Sequence, residues 1–98
     1  MKINKMKLWE KRLINGYALS MLIEEATEAD GDAFKKLVDE FLKDKIEYTK
    51  PMKFQMLCPG EYVISFWTEP FDDNKTEYMR KLVDEVTDYV KINLGGAE

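Results

Sequence analysis

Two short acidic stretches, Asp30-Gly31-Asp32 and Asp72-Asp73-Asn74, carry the oxygen donors that a hard divalent cation would take. Neither has the spacing of an EF-hand loop, and each stands just ahead of a helical pattern, where such residues more simply cap a helix. Carboxylate catalysis would need an acid whose pKa is raised by burial. Its candidates, Asp39, Glu40, Asp84 and Glu85, fall on the solvent side of two amphipathic helices. The chain has no histidine and one cysteine, Cys58, so Ser-His and Cys-His nucleophile arrangements and the commonest general base are missing. Cys58 ends a predicted strand, where a small core residue is expected rather than a nucleophile. Walker A, GxGxxG and GxSxG patterns are absent too. The expectation is a protein that is not an enzyme and uses no metal or cofactor.

The elements that place these groups are easiest to see as a repeat. Residues 5–49 lie over residues 50–94 without a gap. KLVDE occurs at Lys36 to Glu40 and again at Lys81 to Glu85, and the same offset pairs Tyr17 with Tyr62, Ser20 with Ser65, Glu24 with Glu69 and Lys5 with Lys50. These nine identities exceed the roughly three expected by chance over such a window. Many mismatches keep the residue character, as with Trp9 and Phe54, Leu19 and Ile64, or Leu22 and Trp67. Amphipathic helices reuse few residue types, so KLVDE alone carries little. The agreement outside it points to an internal duplication.

The second copy settles an ambiguity in the first. In RLINGYALSM, Asn15-Gly16 signals a hairpin, yet Trp9, Leu13, Tyr17 and Met21 recur at helical spacing. The matching CPGEYVISFW follows Pro51, contains Pro59-Gly60 and runs toward Pro70, and its flanks are aromatic and β-branched, so it reads as strand, turn, strand. The hairpin reading therefore carries to both copies. Helices follow: Phe34, Leu37, Val38, Phe41 and Leu42 form one stripe, with Asp30 or Asp32 as N-cap. Met79, Leu82, Val83, Val86 and Val90 form the other, with Asn74 and Glu77 as a capping box and Gly95-Gly96 as the stop. The expected fold is α+β: an internally duplicated ββαββα chain of 98 residues, one domain made of two repeats (5–49 and 50–94). Its four-stranded antiparallel sheet, in the order first, second, fourth, third, would carry two helices on one face. That arrangement resembles a circularly permuted ferredoxin-like fold, a likeness that implies no function.

Alternation then divides the sheet. Tyr17, Leu19, Met21, Ile23, Tyr62, Ile64 and Phe66 are expected to face the helices. Ala18, Ser20, Leu22, Glu24, Val63, Ser65, Trp67 and Glu69 are left on an open face, to be joined from the outer strands by Leu8, Glu10, Arg12, Lys53, Gln55 and Leu57. An anchor tryptophan in a mixed apolar and polar surface suits protein docking. The candidate partner-binding residues are Trp67, Leu22, Ser20, Ser65, Val63, Arg12, Leu57, Glu24 and Glu69.

Charge narrows the partner. A net charge of −4 opposes direct nucleic-acid binding, which needs a basic surface. The N-terminal segment is basic, through Lys2, Lys5, Lys7, Lys11 and Arg12, as suits a protected sheet edge. EEATEADGD and EPFDDNKTE together hold nine of the nineteen acids, more than helix capping needs, although symmetry would put the two stretches at opposite ends of the sheet. With neither an apolar leader nor a membrane span, and with a lone thiol, a cytoplasmic protein is expected. The reading is a small acidic protein-binding module, an inhibitor or regulator of another protein, such as one that handles nucleic acid, of the immunity or phage counter-defence type. The alternatives are a homodimeric structural or regulatory subunit joined through the open face, and a small-ligand sensor.

Overall fold

Period-two alternation of bulky apolar residues builds the centre of the sheet. β3 (Gly16–Glu24) and β5 (Glu61–Thr68) pair antiparallel, and Tyr17, Leu19, Met21 and Ile23 on one, with Tyr62, Ile64 and Phe66 on the other, are all buried. The computed structural model describes residues 1–11, 16–46, 52–68 and 72–95. β1 (Lys2–Ile3) and β2 (Lys7–Lys11) both pair with β3, and β4 (Lys53–Cys58) pairs with β5, so the order across the sheet is β1 and β2, β3, β5, β4. Among the described residues the fold is α+β, an open antiparallel sheet of five strands with two α-helices.

Five strands replace the expected four because the first strand is broken. The Asn4 side chain donates to the Leu22 carbonyl and to Glu24 Oε2, while the backbone N–H of Met6 turns inward and donates to Thr87 Oγ1 at 3.0 Å. Met6 is thereby buried. Thr87 also donates to the Val83 carbonyl, so one hydroxyl serves the broken strand and the helix together.

The helices cover the buried face. α1 (Glu28–Leu42) turns Phe34, Val38 and Leu42 inward; α2 (Asp73–Val90) turns Met79, Leu82, Val83, Val86 and Val90 inward and continues as a π-helical turn over Lys91–Gly95. Both contribute to one core with β3 and β5. The caps differ from expectation. Thr27, not Asp30 or Asp32, is the N-cap of α1; it accepts from Asp30 N–H, while Asp30 Oδ2 accepts from Thr27 N–H, a reciprocal capping box. For α2 the cap is Asp72, which accepts from Asn74 N–H, so the Asn74 and Glu77 box does not form. Both acidic stretches thus serve helix starts. Gly31 adds a second role, being buried against the ring of Tyr62, where a side chain has no room.

Several expectations fall on residues outside those described: the 12–15 part of the first turn, Arg12, Lys50, Pro51, Glu69, Pro70 and Gly96. No helix among the described residues is long and apolar enough to cross a membrane.

Candidate functional site

Residues directly opposite one another on antiparallel strands share a face, so the register builds the uncovered surface row by row. Ala18 pairs with Trp67, Ser20 with Ser65 and Leu22 with Val63 across the centre. On the outer side β2 sets Trp9 opposite Ala18 and Lys7 opposite Ser20, and β4 sets Lys53 opposite Ser65 and Gln55 opposite Val63. β1 adds Lys2 opposite Glu24. The open face therefore has a row Trp9, Ala18, Trp67, a row Lys7, Ser20, Ser65, Lys53, and a row Leu22, Val63, Gln55.

Among the sequence-derived candidates, Trp67, Leu22, Ser20, Ser65, Val63 and Glu24 come together on this face. Leu57 sits at the register shift between Met56 and Cys58 and is 57% exposed. Arg12 and Glu69 lie outside the described residues. The phase of β2 is a correction. Leu8 pairs with buried Leu19, and Glu10 pairs with Tyr17 and meets Arg80 of α2 at 3.3 Å, so both face the helices, and Trp9 and Lys7 take their places on the open side. The ungapped repeat mis-phases this strand because Pro59-Gly60 falls one position ahead of Asn15-Gly16. β4 absorbs the difference as an irregularity that β2 lacks. That one-position offset was the signal in the sequence that could have found Trp9.

The Trp row gives the face its character. Trp9 is 43% and Trp67 38% exposed, and their backbones stand two strand spacings apart, about 10 Å. Only the methyl group of Ala18 rises between them. Two indoles around a shallow floor, bordered by Lys7 and two serine hydroxyls, can bury an apolar or planar side chain and bond its polar rim. Lys2, Lys7 and Lys53 stand against Glu24 and Glu61 among the described residues of this face, with Lys2 and Glu24 3.8 Å apart. Exposed acids of the helices, Asp32, Asp39, Glu40, Asp84, Glu85 and Asp88, lie on the other side of the molecule.

Cys58 is exposed and not part of the core, a second correction: it ends the edge strand β4 beyond the register shift at Met56, where Met56 and Leu57 are exposed as well. Its pKa is raised above the ordinary thiol value by local desolvation, by a hydrogen bond and the charge of Glu61, and by the charge of Glu24. Those effects hold the proton on sulfur, the reverse of what a nucleophilic thiolate needs. Among the described residues, no three acidic or cysteine side chains converge as a cation site would require. Comparison with family models, with curated proteins and with solved structures finds no match to this chain.

Proposed function

We propose that this chain is a non-enzymatic protein-binding module that docks through its open sheet face and acts by occupying or regulating its partner. The observation that carries the reading is the row Trp9, Ala18, Trp67, two partly exposed indoles on one rigid face flanked by Lys7 and Lys53. Tryptophan anchors on a preformed surface are what binding hot spots use. The lysines beside that row favour a partner with acidic groups around its contact patch, and a small chain that occupies such a patch fits the role expected of an inhibitor of the immunity or counter-defence type. An exposed lone thiol fits a reducing, cytoplasmic setting.

The same proposal takes the chain as one domain of two repeats, ββαββα, related to a ferredoxin-like fold by circular permutation. Support comes from the register: Ser20 pairs with Ser65, its own counterpart at the repeat offset, and Ala18 with Trp67 exchanges under that offset with Val63 and Leu22. A pseudo-twofold axis through the serine pair accounts for all three.

The test is affinity capture from the native host with the wild type, with Trp67→Glu, with Trp9→Glu and with the helix-side control Glu85→Lys. Folding of each is checked by circular dichroism. A partner held by the wild type and the control but lost by both tryptophan variants is expected. A partner retained by both tryptophan variants would show that the sheet face is not the docking surface.

A further inference from the structure

The two edges of the sheet are not alike. On one side β1 and β2 are two and five residues long, interrupted where Met6 dips into the core, and the segment from β1 into β2 carries Lys2, Lys5 and Lys7. Interruption and lysine are the usual means of keeping a sheet edge from recruiting another strand. On the other side β4 runs six residues, KFQMLC, with Lys53 its one charge. Met56 is 59% exposed, Leu57 is exposed to a similar degree, and no described strand lies beyond them.

We propose that β4 pairs antiparallel with β4 of a second copy about a two-fold axis at Gln55, joining two five-stranded sheets into one. Side-chain parity and charge both select a second copy. With Gln55 opposite itself, Phe54 lies opposite Met56 of the partner subunit, twice by symmetry, and a thioether against an aromatic ring is a favourable contact. On the open side the β4–β5 hairpin is positive at one end, through Lys53, and negative at the other, through Glu61. Antiparallel pairing brings each Lys53 to the Glu61 end of the other copy, so both ends find opposite charge, whereas parallel pairing sets like on like. Isologous contacts of this kind close after two copies. The tryptophan rows stay uncovered, so the inference is independent of the docking reading. The dimer would set two such faces side by side on a continuous sheet.

Six residues a side fall short of the roughly 20–30 of a standard interface, so association in the range of about 10 μM to 1 mM is expected. Molar mass is measured across that range by sedimentation equilibrium for the wild type, Met56→Lys, Lys53→Glu and Trp67→Glu, with circular dichroism to confirm folding. The expected result is a concentration-dependent dimer for the wild type and Trp67→Glu, a monomer for Met56→Lys, and at least a fivefold weaker dimer for Lys53→Glu. In a Cys58→Ser background, Gln55→Cys should give a covalent dimer on mild oxidation, because directly opposite residues are about 5 Å apart, and Lys7→Cys should not. A wild type that stays monomeric at the top of the range would overturn the proposal. So would a dimer that survives Met56→Lys, or cross-linking as efficient from position 7 as from position 55.

Discussion

Gly31→Ala sets two effects of similar size against each other, and the structure decides the sign. In a helix, alanine is favoured over glycine by about 1 kcal/mol, and Gly31 lies in the first turns of α1. A Cβ at Gly31, however, would come within 2.8 Å of Cδ1 and Cε1 and 3.0 Å of Cγ of Tyr62. Ordinary carbon contacts begin near 3.5 Å, so the ring would have to retreat by about 0.7 Å. It has little room to do so. Tyr62 stacks on Phe54 at 5.8 Å between centroids, and its strand is paired on both sides, to β3 and to β4. Overpacking against a held ring costs about 1–3 kcal/mol. The net expectation is a loss of up to about 2 kcal/mol, seen as a fall in Tm of up to roughly 15 °C for a domain of this size. Thermal and urea unfolding followed by circular dichroism measure it. The decisive control is the same substitution in a Tyr62→Ala background, where the propensity gain should be left alone and Gly31→Ala should be neutral or stabilising. Stabilisation in the wild-type background, or equal losses in both backgrounds, would refute the contact argument.

Other consequences can be checked on the same scale. Thr27→Ala removes one half of the α1 capping box and should cost about 1 kcal/mol, with Thr27→Ser retaining most of it; unfolding free energies that rank the two alike would count against the cap. Thr87→Val keeps the volume but leaves the buried Met6 N–H without its acceptor, a loss of about 1–3 kcal/mol, and an unchanged urea midpoint would show that the strand break is not held by that bond. For Cys58, the raised pKa means that alkylation by iodoacetamide stays slow at neutral pH and speeds up only above the ordinary thiol range. Removing the carboxylate charge with Glu61→Gln lowers the pKa and should move the rate profile to lower pH; a profile that does not move would exclude Glu61 as a cause.

Much of this could be read from residue pattern because burial acts on whole periodic sets. The inward residues of β3 and β5 and the stripes on α1 and α2 were all legible from spacing, since moving any one set by a residue would expose several large side chains at once. Features that depend on a single hydrogen bond were not. Thr27 wins the cap from Asp30 because a cap needs the right backbone conformation as well as an oxygen, and Asp30 at the third helical position can then bond back. The break after β1 hinges on one N–H finding Thr87, 81 residues away in the chain, and no local pattern announces it. Buried Thr76 is similar: it meets the Tyr17 hydroxyl, which also donates to the Asp72 carbonyl at 2.6 Å and so ties the α2 cap to the sheet. Cys58 read as core because its strand is apolar, but apolar character at the end of an edge strand does not by itself bring burial.

The phase of β2 matters most for the working surface, and its cause can be followed. If β2 had the phase of β4, Leu8 and Glu10 would stand on the open face and Trp9 would turn toward α2. Leu8 would then leave Leu19 and the core that it packs against, and Glu10 would lose Arg80. An exposed ion pair contributes at most about 1 kcal/mol, so the apolar terms decide. Trading a half-buried leucine for an indole inside a packed layer forces an overpacking cost of about 1–3 kcal/mol. The regular pairing of Lys7 through Lys11 with β3 avoids that cost and needs no bulge. Trp9 on the open face is thus a result of core packing, and core packing also brings it into line with Trp67. The second indole of the proposed docking row is placed by the side of the sheet that it does not touch.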